Sequence, residues 1–182
     1  YASDICAPGA DVVVWEQTGS VKQVFSLIPY QVDQVDGGLQ SRTVADGVYS
    51  FDSKQDAGQS LAIAGAGASD GVRALAEVGT SALNQVFYIT FQEVEGYLGW
   101  YTIRALCSGK VLAVAGLNAT NGAPVMQWSD NGTKNMRWLI CGDDQAGYNL
   151  VSADTGLILD FSCDTITSGA SAVAWQSTGS PK

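Results

Sequence analysis

The sequence predicts an all-β domain assembled from a repeated four-stranded unit, and three observations predict it. No long stretch places apolar residues at the helical period between capping residues. Short runs rich in Val, Ile, Tyr, Phe and Trp are instead separated by Gly, Asn, Asp and Ser. These runs also recur in a fixed order, at a period of roughly 40–50 residues.

The elements follow in order within each unit. A Tyr-bearing strand comes first: VYSFDS at 48–53, WYTIRAL at 100–106 and YNLVSA at 148–153. A small-apolar strand follows, SLAIAG from Ser60 and VLAVAG from Val111, with LILDF from Leu157 as the third copy. A loop then leads to a glycine (Gly71, Gly122) and a third strand, which carries Trp128 in the second unit and Trp175 in the third. The unit closes with Asn, two residues and an aromatic: Asn84 to Phe87 and Asn135 to Trp138. The third copy stops before this closing motif. A partial copy opens the chain, SDICAPGADVVVWEQTGSVKQVF, with Asp4, Trp15 and Phe25 in the same order. The chain thus reads as one domain over 1–182: a partial repeat at 1–29, a linker at 30–46, repeats at 47–91 and 96–141, and a repeat at 147–182 lacking its last strand. Three four-stranded repeats make the strand count of a β-trefoil, a six-stranded barrel capped by three hairpins, here with permuted or overlapping termini. A propeller of this period would need at least four blades. Phe87 and Trp138 are expected to fill the barrel core.

A barrel must close, because an open edge leaves backbone N–H and C=O groups unpaired. The segment Gln23 to Ile28 (QVFSLI) is therefore expected to supply the missing strand of the third unit. In that arrangement GADVVVW at 9–15 and GASAVAW at 169–175 compete for one position. One of them sits elsewhere or pairs with another chain; alternatively, the chain is an excerpt of a longer tandem array.

The copy GAPVMQWSDNGTKNMRW at 122–138 resembles the ricin-B lectin family, with its Q-x-W signature and closing N-Q-x-W. The resemblance covers nearly the whole chain outside Tyr30 to Asp46. It departs from the family pattern at Met126-Gln127-Trp128 and Val173-Ala174-Trp175, which lack the literal Q-x-W. The closing Gln stands at Gln85 and Gln23 but is replaced by Met136 in the second unit. The resemblance implies a sugar site with three parts. An Asp on the small-apolar strand accepts hydrogen bonds from sugar hydroxyls. An aromatic on the third strand stacks on the apolar face of the ring, and the closing Asn or Gln adds polar contacts. The first unit has Ala62 and Glu77 at the Asp and aromatic positions and is expected to bind no sugar. The second has Ala113 and Trp128, with Asn135 at the close. The third has both Asp160 and Trp175, with Gln23 as its closing residue. Asp4 and Trp15 repeat the pair in the opening fragment. Trp128 and Trp175 read equally well as packing residues, and Asp160 as a turn cap beside Thr155 or Gly156.

Composition narrows the function classes. The chain has 182 residues and a net charge of −9, so the clustered cations that bind nucleic acid are missing. No apolar run approaches the roughly 18–20 residues that cross a bilayer, so no membrane insertion is expected. No basic leader opens the chain; either one was removed or the chain belongs to a larger multidomain protein. Four cysteines, Cys6, Cys107, Cys141 and Cys163, fit one or two disulfides and a secreted or cell-surface location, with free thiols as the alternative. The absence of histidine excludes Ser-His-Asp and Cys-His arrangements and makes a zinc site improbable. No phosphate-binding glycine motif follows a strand, since Gly65, Gly67 and Gly71 lie in a hairpin loop. Asp143 and Asp144 read as a solvated turn between units, not as a glycosidase pair across a cleft. Asn118-Ala-Thr and Asn131-Gly-Thr are glycosylation sequons or turn residues. The expected function is therefore a non-catalytic carbohydrate-binding module without cofactors, whose partners are glycans or glycoproteins. Two other readings stand beside it: a structural or protein-binding trefoil with degenerate sugar sites, and a Kunitz-type protease inhibitor. The inhibitor's exposed basic loop is not evident.

Overall fold

The computed structural model describes residues 39–177, all within a unit that spans Val32–Lys182. Its strands are β1 (Gln40–Ser41), β2 (Gly47–Tyr49), β3 (Gln59–Ile63), β4 (Ala74–Val78), β5 (Phe87–Glu95), β6 (Leu98–Ala105), β7 (Val111–Val114), β8 (Ala123–Trp128), β9 (Trp138–Asp143), β10 (Gly147–Ser152), β11 (Ile158–Phe161) and β12 (Ala172–Trp175). Only short 3-10 turns interrupt them, at Ala64–Ala66, Leu83–Gln85 and Lys134–Met136. The barrel strands pair antiparallel in the order β2-β5-β6-β9-β10. The pairs β3–β4, β7–β8 and β11–β12 form the three hairpins. The fold is the expected β-trefoil.

Register establishes the internal symmetry. Phe87 lies opposite Ala105 and Ile89 opposite Ile103. Trp138 lies opposite Ser152 and Ile140 opposite Leu150. The two closing aromatics thus occupy equivalent places, and both are 0 % exposed. Trp138 Nε1 donates to Leu112 O at 2.9 Å, so its one polar atom is satisfied inside the core.

The hairpins close on one another in a ring. Gly71 N–H donates to Gln127 O (2.9 Å), Gly122 N–H to Ala174 O (2.9 Å) and Gly169 N–H to Ala76 O (2.7 Å). Each lobe's glycine thereby reaches the third strand of the next lobe, and the third lobe reaches back to the first. All three glycines have positive φ (81°, 85° and 95°), a conformation a side chain would strain. This is why glycine recurs at the loop end in each repeat.

Part of the expected linker at 30–46 is an integral piece of the barrel. β1 pairs with β6, Gln40 opposite Gly99 and Ser41 opposite Leu98. The Gln40 carboxamide then stands in for a strand partner of Ile140: Oε1 accepts from Ile140 N (2.6 Å) and Nε2 donates to Ile140 O (3.1 Å). The Tyr101 hydroxyl accepts from Thr43 N (2.7 Å) and Val44 N (2.8 Å) and donates to Val44 O (3.0 Å). Polar spacing read as linker because its hydrogen bonds run to residues about a hundred positions away. Gln40→Ala is expected to strand the Ile140 backbone groups and to cost about 1–3 kcal/mol, measured by urea unfolding.

A partly buried ion pair braces the second lobe. Asp130 Oδ1 accepts from Arg137 Nη2 at 2.9 Å, with Arg104 Nη2 at 3.9 Å from Oδ2. Partial burial pushes the Asp130 carboxyl up, but the Arg137 hydrogen bond, the Gly132 N–H and the two guanidinium charges outweigh it, and the net shift is downward. A depressed folded-state pKa stabilises the fold above the unfolded carboxyl's value, and this contribution is lost as pH falls through the folded value. Thermal midpoints of the native chain should therefore drop more steeply with acidification than those of Asp130→Asn.

The disulfide expectation needs correction for three of the four cysteines. No disulfide links Cys107, Cys141 and Cys163 to one another. They stand on the turn after β6 and on β9, both in the second lobe, and on the loop after β11 in the third. Cys6 lies outside the described residues, as do the partial repeat at 1–29 and the strand expected at Gln23 to Ile28.

Candidate functional site

The third lobe brings two of the expected residues together. In the β11–β12 hairpin Asp160 lies opposite Val173, and Ile158 opposite Trp175. Opposed residues and alternate residues of an antiparallel pair share a face, so Ile158, Asp160, Val173 and Trp175 project to one side. Asp160, Val173, Trp175 and the loop Ser162 to Asp164 line a concavity of about 430 Å³. Asp160 is half-buried, and Trp175 is 37 % exposed. Asp160 Oδ1 accepts from the Phe161 N–H at 2.7 Å. In the turn before the hairpin Thr155 Oγ1 accepts from Leu157 N at 3.3 Å. A carboxylate acceptor and a half-open indole thus border one hollow, the arrangement that holds a polyhydroxylated ring with one apolar face.

The other two lobes lack this pairing. In the second, Ala113 occupies the place of Asp160, while Trp128 is 40 % exposed. In the first, Ala62 and Glu77 stand at the two positions.

The closing amides serve the fold. Asn135 is buried, donates to Val114 O at 2.7 Å and accepts from Thr133 Oγ1 at 2.7 Å. Asn84 makes the equivalent bond to Ile63 O (3.0 Å) and also donates to Glu77 Oε2 (3.0 Å). Each Asn ties the closing loop to the end of its small-apolar strand. Gln85, also buried, donates to Val78 O (2.7 Å) and accepts from Thr80 N (2.8 Å), bracing the exit of β4. Gln23, Asp4 and Trp15 lie outside the described residues.

Both exposed indoles rest on the lobe before their own. A Cβ added to Gly122 would sit 3.4 Å from Trp175 Cζ3, and one added to Gly71 would sit 3.5 Å from Trp128 Cζ3. Beside Trp128, Asp70 Oδ1 accepts from Ser129 N (2.8 Å) and Ser129 Oγ (2.9 Å) and pairs with Lys110 Nζ (2.7 Å). The Lys110 hydrogen bond leads the causes that hold the exposed Asp70 carboxyl below its ordinary range. Sequence reasoning marked these glycines as loop ends but missed their cross-lobe contacts, which no local pattern encodes. Among the described residues, no cluster of His, Cys, Asp and Glu could hold a metal ion.

The fold is a β-trefoil of lectin type, three lobes with a shallow hollow on one hairpin. The model of ricin-type β-trefoil lectin-like domains matches residues 39–128 and 83–175, and the chain belongs to this family. A comparison with curated proteins finds no match. Among solved structures, the designed three-fold symmetric protein ThreeFoil is 26 % identical with a TM-score of 0.67, covering 75 % of this chain and 94 % of its own. The ricin B-like lectin of Macrolepiota procera, solved in complex with lactose, is 20 % identical with a TM-score of 0.59, covering 75 % of this chain and 91 % of its own. The exo-β-1,3-galactanase 1,3Gal43A from Clostridium thermocellum is 19 % identical with a TM-score of 0.64; 75 % of this chain matches only 28 % of that one.

Proposed function

We propose that this chain is a non-catalytic carbohydrate-binding module whose principal site among the described residues is the hollow of the third lobe. The observation that carries this reading is the shared face of Asp160 and Trp175 on the β11–β12 hairpin. Asp160 accepts hydrogen bonds from adjacent sugar hydroxyls, and Trp175 provides the apolar platform. The second lobe offers Trp128 without an acceptor and binds more weakly. Family membership supports the class of ligand, and the lactose-bound relative makes galactosides the first to test. Glycans or glycoproteins are then the partners, and an extracellular setting, with the module joined to other domains, fits that role. Avidity from several copies would offset a weak single site.

The test is a broad glycan array, followed by titration of tryptophan fluorescence with lactose and the strongest array glycan. The reading expects saturable binding that Trp175→Ala weakens more than Trp128→Ala. A silent array would overturn it.

A protein-binding role is favoured by one observation: Ala62 and Ala113 replace the acceptor in two of the described lobes. A silent array together with stoichiometric capture of a purified protein partner selects that role.

A further inference from the structure

We propose that Asn121 and Gly122, in the second lobe, are positioning residues for the binding site on the third. This rests on the carbohydrate reading of the Asp160–Trp175 hollow and extends it across the lobe boundary. Trp175 is the last residue of β12, so the chain leaves the ladder just where the platform must be held still. Three contacts from the second lobe hold it. Gly122 N–H donates to Ala174 O at 2.9 Å, fixing the backbone before Trp175. Asn121 Oδ1 accepts from Gln176 N at 2.9 Å, fixing the backbone after it and pairing an N–H beyond the strand end. The Gly122 Cα lies beside the indole edge, and its φ of 85° is one a side chain would strain; an added Cβ would itself make ordinary contact with Cζ3 at 3.4 Å.

The same device recurs one lobe earlier. Asp70 accepts from Ser129 N at 2.8 Å, Gly71 N–H donates to Gln127 O at 2.9 Å, and Gly71 faces Trp128 Cζ3. At the third boundary the glycine bond persists, from Gly169 N–H to Ala76 O, but the preceding residue is Ser168 and the platform position is Glu77. An Asx-Gly pair therefore faces each described tryptophan platform, and a Ser-Gly pair faces the lobe without one. The glycine alone serves the ring of hairpins. The Asx side chain is the added part, and it accompanies the indole.

Holding a half-exposed indole in place before the ligand arrives lowers the ordering cost of binding. Loss of one such side chain to backbone bond is expected to weaken glycan affinity about fivefold.

The experiment uses the full chain with Asn121→Ala, Asn121→Asp and Gly122→Ala. Indole N–H resonances are recorded without sugar, together with thermal midpoints, and affinity is then measured for lactose and the strongest array glycan. In Asn121→Ala and Gly122→Ala the Trp175 resonance shifts, the Trp138 resonance stays and affinity falls. Asn121→Asp, which copies Asp70, restores both the resonance and the affinity. A Trp175 resonance unmoved by Asn121→Ala and Gly122→Ala overturns the proposal. So does a shift of every indole with a lowered midpoint, because the effect is then general loosening. If the native chain binds no glycan, the carbohydrate reading fails, while the Trp175 resonance still decides whether Asn121 and Gly122 position the indole.

Discussion

A Trp138→Ala chain is expected to lose about 3–5 kcal/mol of stability, the range for removing a buried large aromatic. Trp138 is fully buried and is tied to three other strands through its backbone and its indole N–H. Its backbone sits opposite Tyr101 and Ser152, and its indole N–H is satisfied by Leu112 O. Alanine would leave a cavity in the core and take away the donor to the Leu112 carbonyl on β7. Domains of this size are stable by only about 5–15 kcal/mol, so a large part of the folded margin would go. Trp128→Ala is the matched control, since its indole is exposed over much of its surface and lies on a hairpin flank; its cost should be far smaller. Urea unfolding followed by far-UV dichroism reads both. If the two substitutions cost the same, the closing aromatic is not the keystone of the barrel.

Replacing Asp160 by alanine is expected to remove most glycan binding while leaving the fold intact. Hydrogen bonds to an ionised acceptor are worth about 1.5–3 kcal/mol each, so losing those to two sugar hydroxyls should cut affinity by about a hundredfold or more. Asp160 also accepts the Phe161 N–H in the fold, so folding is read alongside binding. Isothermal titration of Asp160→Ala against the native chain, with the thermal midpoint as a check on folding, measures both effects. Affinity equal to that of the native chain would move the binding site off the third lobe.

The trefoil was legible because its symmetry is written into sequence spacing. The interval from the small-apolar strand to the closing aromatic is the same in Leu61 to Phe87 and Leu112 to Trp138, and the structure buries both aromatics fully at equivalent register positions. The Asp160–Trp175 pair was legible for a similar reason: hairpin register converts spacing into a shared face. Three things were not legible. Gln40 resembles any linker glutamine, and only the gap beside Ile140 gives it a role. Asn135 matches a ligand-contacting position in the family pattern, yet it is buried and bonded to Val114 O, an outcome decided by packing depth and not by residue type. Gly122 read only as a loop end, and Asn121 matched no part of the repeat, because Trp175 is more than fifty positions away.

The most direct measurement is the set of indole N–H resonances of the full chain titrated with lactose and a panel of other mono- and disaccharides. The account predicts a saturable shift of the Trp175 resonance with at least one sugar, a smaller response at Trp128 and none at the buried Trp138. A Trp175 resonance that stays fixed against every sugar in the panel would contradict it.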